Sequence, residues 1–166
     1  MQFTSNFVSA VVLACTSLVA AQNAGPFVPW FSASNTGLCV QPSSQATNAP
    51  LIAAACAGTA VQTWSWLKDS GTNVYRLQNG APPFMCADIV SPGVGTQVIY
   101  GECTNSDGSG NPVSNAEWVA SAALPNTVTL QSHILRATVV NCITLVDGDL
   151  ILEPCGSASQ GWIVGI

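Results

Sequence analysis

The 166-residue chain carries three Lys or Arg against eight Asp or Glu, a formal net charge of −5, and a single histidine. Lys68, Arg76 and Arg136 are the only basic side chains, which argues against nucleic acid or an anionic membrane surface as a partner, since both need clustered cations. With charge this scarce, solubility rests on Ser, Thr, Asn, Gln and Gly, groups that can hydrogen-bond neutral hydroxylated ligands.

Residues 1–21 read as a secretory signal peptide. A short polar start, Met1 to Asn6, leads into the apolar run Phe7 to Cys15 and then Leu18-Val19-Ala20-Ala21, with Val19 and Ala21 placed for cleavage after Ala21. The start lacks Lys and Arg, but the apolar run is too short for a membrane anchor, which needs about 20 apolar residues. The expected product is secreted and extracellular, with no membrane insertion, and residues 22–166 form one domain with a real core. No N-x-Ser/Thr sequon occurs, so no N-linked glycan is expected.

No stretch of the mature chain keeps a helical period. Short runs rich in β-branched and aromatic residues alternate with Gly, Pro, Asn, Asp and Ser, which predicts an all-β protein. Twelve strands are expected in chain order. The first four are 27–32, 37–41, 51–55 and 62–67; the next four are 73–78, 84–89, 96–101 and 116–121; the last four are 127–132, 139–145, 149–153 and 161–165. Asp147-Gly148-Asp149 predicts a tight hairpin turn. Thr104 to Ser114 is a polar, Gly-rich insertion found only in the second group, read as a loop tip rather than a binding loop.

The grouping into fours follows from a threefold order of two cysteines and a tryptophan: Cys39, Cys56, Trp64; Cys86, Cys103, Trp118; Cys142, Cys155, Trp162. The repeats span about 26–68, 72–122 and 126–166. Cys15 departs with the signal, leaving an even number of cysteines in an oxidising compartment. Several pairings are possible in principle, and the repeat favours the one in which each unit closes on itself. A zinc site is the rival, but CxxC spacing is absent and His133 is the only histidine. No metal and no cofactor are expected. The three tryptophans are expected to share a core.

Gly37-Leu38-Cys39-Val40, Ala55-Cys56 and Gln62-Thr63-Trp64 resemble a repeat of the ricin B-chain-type lectins, marked by a cysteine pair and a Gln-x-Trp motif. Asn141-Cys142-Ile143, Pro154-Cys155 and Gln160-Gly161-Trp162 match as well. The middle copy has Cys86, Cys103 and Trp118 but Ala116 in place of the Gln. The resemblance covers nearly the whole mature chain. It implies a β-trefoil of twelve strands in three pseudo-symmetric repeats, each closed by one disulfide.

The resemblance also implies a shallow sugar site per repeat. Such a site has a carboxylate two residues after the first Cys, an aromatic two before the second and an Asn three before the Trp. The first repeat has Gln41, Ala54 and Val61 at those positions, and the third has Thr144, Glu153 and Ser159, so neither is expected to act as a standard site. The second keeps Asp88 and Asn115 but has Gly101 for the aromatic. Tyr100 is adjacent and would need a bulge to face outward; regular alternation points it inward. The candidate carbohydrate-binding residues are therefore Asp88, Tyr100 and Asn115.

No catalytic residue is expected. No nucleophile motif such as GxSxG occurs, the cysteines are committed to disulfides, and nothing selects two of the acidic residues as a glycosidase pair. The leading expectation is a secreted, lectin-like protein whose partner is a glycan or glycoprotein. The alternative is a secreted interaction protein with an extracellular protein target, such as a protease inhibitor or host-directed effector. It would use the insertion or the Gly80-Ala81-Pro82-Pro83 segment on a disulfide-stapled scaffold.

Overall fold

The computed structural model describes residues 24–69, 73–103, 114–134 and 140–164. The segment expected to be a signal peptide and most of the 104–114 insertion lie outside the described residues. The first repeat contributes β1 (Val28–Ser32), β2 (Asn35–Pro42), β3 (Ala49–Ala55) and β4 (Thr63–Lys68). The second contributes β5 (Val74–Asn79), β6 (Cys86–Ile89), β7 (Val98–Gly101) and β8 (Trp118–Ala120). The third contributes β9 (Thr127–Val128), β10 (Leu130–Ser132), β11 (Asn141–Val146), β12 (Asp149–Pro154) and β13 (Trp162–Val164).

Every strand pairing is antiparallel, and the outer strands of the repeats close into a ring. β1 pairs with β4, β4 with β5, β5 with β8, β8 with β10, β9 with β13, and β13 returns to β1. Closure leaves the ring without a free edge. The inner strands form three hairpins, β2–β3, β6–β7 and β11–β12, whose tips meet through β3–β7, β3–β12 and the Gln97–Ile151 bridge. A ring capped by three hairpins is a β-trefoil.

Among the described residues there are thirteen strands where twelve were expected, because the predicted strand 127–132 is interrupted at Thr129. Its first part pairs with β13 and its second with β8 and β11. Between them, the Thr129 N–H donates to Ser121 Oγ at 3.0 Å instead of a strand carbonyl. The predicted hairpin turn is a two-residue turn with φ of 51° at Asp147 and 95° at Gly148, joining Val146 to Asp149. Positive φ at both positions matches the right-handed strand twist.

The disulfides join Cys39 to Cys56, Cys86 to Cys103 and Cys142 to Cys155, with sequence separations of 17, 17 and 13. Each first cysteine lies on a strand (β2, β6, β11), and each second cysteine lies just past the end of the next. In the chain-entropy view each closure stabilises by about 3 kcal/mol.

Trp64, Trp118 and Trp162 are fully buried in one continuous core. Their indole N–H groups repeat a single contact: Trp64 donates to Val40 O at 2.9 Å, Trp118 to Ala87 O at 3.0 Å and Trp162 to Ile143 O at 2.9 Å. Each acceptor is the residue after the first cysteine of its repeat, so the tryptophan locks barrel to hairpin. Trp30 on β1 is a fourth buried indole, set edge-on to Trp64 and Trp162 with centroids 5.3 and 5.4 Å away. Leu77 on β5 and Leu130 on β10 are also fully buried and hold the matching strand positions.

One buried and one part-buried polar contact complete the frame. Arg76 on β5 is almost wholly enclosed and forms a two-bond pair with Asp69, Nε to Oδ2 at 2.8 Å and Nη2 to Oδ1 at 2.9 Å, while Nη1 donates to Cys103 O at 3.0 Å. His133 Nδ1 lies 2.9 Å from Glu117 Oε2, and the His133 N–H donates to Glu117 O, which ties the residue after β10 to the start of β8.

Candidate carbohydrate-binding site

The three equivalent positions differ in how their polar groups are used. In the first repeat, Gln62 is buried on the 3-10 turn Ala60–Gln62. Its Nε2 donates to Gln41 Oε1 at 2.8 Å and Ala55 O at 2.9 Å, and its Oε1 accepts from Ala57 N at 2.6 Å. In the third, Gln160 on the turn Ala158–Gln160 repeats the arrangement. Its Nε2 donates to Thr144 Oγ1 at 2.9 Å and Pro154 O at 2.8 Å, and its Oε1 accepts from the N–H groups of Gly156 and Ser157 at 2.6 and 3.0 Å. The Gln of each Gln-x-Trp motif is thus a clamp that engages the residue two beyond the first cysteine.

Among the described residues, the second repeat has no such clamp. Ala116, fully buried on the 3-10 turn Ser114–Ala116, stands where the Gln would be. Asp88 on β6, half-buried, occupies the position matching Gln41 and Thr144. Its Oδ1 accepts the Ile89 N–H at 2.6 Å. Its carboxylate lies against Gly101 of β7, where any Cβ would overlap Oδ2. Gly101 is therefore what makes room for Asp88; the missing aromatic and the seated carboxylate are one feature. Asn115, half-buried, is on the Ser114–Ala116 turn, which packs on β6, so the strand bearing Asp88 and the turn bearing Asn115 are neighbours.

Tyr100 is not part of this surface. The β6–β7 register runs without a bulge from Cys86↔Gly101 through Ala87↔Tyr100 to Ile89↔Val98, so alternation turns Tyr100 into the core. It is fully buried, and its hydroxyl donates to Ala81 O at 3.2 Å. A ring in the core cannot stack on a ligand, which corrects its inclusion among the candidates. The clamps were missed in the sequence, although Gln at the same offset before Trp64 and Trp162, and its absence before Trp118, was the signal available.

Burial pushes the Asp88 carboxyl up to about 6; the Ile89 N–H opposes the shift and the charge of Glu102 adds to it. Because the unfolded value is about 3.9, the native chain holds an extra proton between about pH 4 and 6. Stability from this group is thus full below that window, falls as pH rises through it and is level above. Asp88→Asn is expected to flatten that slope and to stabilise the protein at pH 7 by about 1 kcal/mol, after allowance for solvent screening. Urea unfolding of both proteins at several pH values checks this; identical slopes would contradict it.

Among the described residues, no cluster of His, Cys, Asp or Glu could hold a metal ion, and no helix is long and apolar enough to cross a membrane. No family model and no curated protein matches the sequence. Solved structures do match. The designed 3-fold symmetric protein ThreeFoil superposes with a TM-score of 0.65 at 17% identity, covering 82% of this chain and 96% of that one. The Polyporus squamosus lectin bound to the human-type influenza-binding epitope Neu5Aca2-6Galb1-4GlcNAc gives 0.64 at 15% identity, covering 81% and 46%. A mosquitocidal holotoxin gives 0.62 at 18% identity, covering 81% of this chain but 16% of that one. The fold is a β-trefoil, shared with ThreeFoil and with the Polyporus lectin. At these identities the likeness is one of fold, and this chain spans under half of the Polyporus lectin and a sixth of the toxin.

Proposed function

We propose that this chain is a secreted, lectin-like carbohydrate-binding protein that acts without catalysis, with one retained site in its second repeat. The observation that carries the reading is the contrast among the three equivalent positions. Gln41 and Thr144 are held by their repeat's clamp, whereas Asp88 is acidic, partly exposed and, among the described residues, free of one. A carboxylate so placed accepts hydrogen bonds from vicinal hydroxyls of a sugar, and Asn115 on the adjoining turn supplies a donor and an acceptor. The solved lectin of the same fold supports the ligand class. With Gly101 beneath Asp88, the site offers no aromatic platform, so recognition rests on polar contacts and affinity per site is low.

A glycan array probed with the oxidised 22–166 chain tests the reading. Binding to glycans with free vicinal hydroxyls is expected, weakened about tenfold or more by Asp88→Ala, the loss of a charge-assisted hydrogen bond. A blank array across broad glycan classes would sink it.

A further inference from the structure

We infer that the Asp88 site is selective for amino sugars, binding a hexosamine through its protonated amine and an adjacent hydroxyl in preference to the N-acetylated or neutral sugar. The inference rests on the carbohydrate-binding reading above and narrows it to one ligand chemistry.

The second repeat differs from the others in charge as well as in clamping. The residue two beyond the first cysteine and the residue just before the second are Gln41 and Ala55 in the first repeat, Asp88 and Glu102 in the second, and Thr144 and Pro154 in the third. The second repeat alone of the three puts carboxylates at both positions. Asp88 is half-buried, with Oδ1 holding the Ile89 N–H at 2.6 Å and Oδ2 lying where a Cβ on residue 101 would otherwise stand. Glu102 follows Gly101 directly and is exposed, and its charge acts against that of Asp88.

β6 packs against β7, β5 and the Ser114–Ala116 turn. β7 carries Tyr100, turned into the core, and is followed by Glu102. β5 carries Tyr75, whose hydroxyl accepts the Leu124 N–H, and Arg76, whose guanidinium is held by Asp69 and Cys103 O. The turn itself carries no ionisable side chain and is followed by Glu117, which pairs with His133. Among the described residues the ion pairs are Arg76–Asp69 and His133–Glu117, and Asp88 is in neither. Its carboxyl is accordingly pushed up to about 6, chiefly by burial and further by Glu102. A carboxylate so placed gains most from a ligand that brings its own positive charge.

That balance selects the ligand. A hydroxyl offers Asp88 a neutral donor and leaves its repulsion with Glu102 as it is. An ammonium offers charge-assisted donors, and its attraction to both carboxylates is screened less than in water because Asp88 is partly enclosed. N-acetylation removes the charge and adds bulk on the same nitrogen. With Gly101 at the stacking position the sugar ring gains little apolar contact, so polar groups set the preference. Asn115 on the adjoining turn can donate to or accept from the neighbouring hydroxyl. The net charge of −5 adds long-range attraction for a cationic oligosaccharide.

The oxidised 22–166 chain is titrated with chitotriose, a short glucosamine oligomer, and with its fully N-acetylated form, with NMR chemical shifts reporting binding. At pH 7 the free-amine oligomer is expected to bind about tenfold or more tightly. Asp88→Asn should abolish that preference, and Glu102→Gln, at an exposed position, should reduce it about twofold. Because the ionised carboxylate is the binding form, affinity for the amine should fall as pH drops from 7 to about 5. Asp147→Asn, an exposed acid in the turn of the third repeat's hairpin, should leave binding unchanged. An equal loss in that variant would reduce the effect to general surface charge and overturn the proposal. So would binding of spermidine as tight as that of chitotriose, since spermidine has the amines without the hydroxyls. Asp88-dependent binding of the acetylated oligomer as tight as the free amine would overturn the selectivity and leave the carbohydrate reading standing. No binding of either oligomer beside a positive glycan array would do the same; with a blank array, the reading beneath it falls too.

Discussion

Trp162→Ala should lower the unfolding free energy by about 4 kcal/mol or more, a large share of what a domain of this size has. The indole is fully buried, so truncation leaves a cavity at the join between the first and third repeats, where β13 pairs with both β1 and β9. It also removes the edge contact to Trp30 and strands Ile143 O, whose partner is the indole N–H. Trp162→Phe keeps most of the ring volume and loses only the donor, so a smaller loss of about 1–3 kcal/mol is expected. Urea unfolding of the oxidised proteins measures both. A loss under about 1 kcal/mol for the alanine variant would show that the core does not depend on this indole.

Asp69→Ala is expected to cost about 3–5 kcal/mol, because among the described residues it leaves the enclosed Arg76 guanidinium with only Cys103 O as a partner. The pair as a whole carries a desolvation penalty close to its Coulombic gain. Asp69→Leu combined with Arg76→Met should therefore recover most of the loss. The double-mutant cycle is the diagnostic, read again from urea unfolding. Additive losses in the double variant would mean that the two side chains act independently, against the two-bond geometry. This contact also ties β5 to the end of the Cys86–Cys103 loop, so the Asp69 variant should loosen the hairpin that bears Asp88.

The fold was legible because its signals are covalent and periodic. Two cysteines and a tryptophan in fixed order, three times, define units that close on themselves, and the alternation of short β-rich runs with turn residues places the strands to within a few positions. The strand at 127–132 was drawn as one because its residues are strand-formers throughout. Only the pairing partners show that it divides at Thr129. Trp30 escaped the repeat because its counterparts are Leu77 and Leu130, so no pattern marks it. The burial of Arg76 and its pairing with Asp69 were not legible, since a one-dimensional sequence does not tell which base meets which acid.

The candidate site divides along the same line. The types and offsets of Asp88, Asn115 and Gly101 could be read directly, being distances along the chain from a cysteine or a tryptophan. Whether Tyr100 faced out depended on a bulge, which is a matter of register between two strands; the unbroken β6–β7 ladder turns it inward. That Gly101 makes room for Asp88, and that Gln62 and Gln160 clamp the equivalent positions while Ala116 does not, are contacts between residues distant in sequence. By itself, then, the sequence determined the threefold disulfide and tryptophan frame, because that frame is built from repeated local spacing. Tertiary structure alone decided which polar groups are spent and which stay open, because hydrogen-bond satisfaction is settled where separate strands and turns meet.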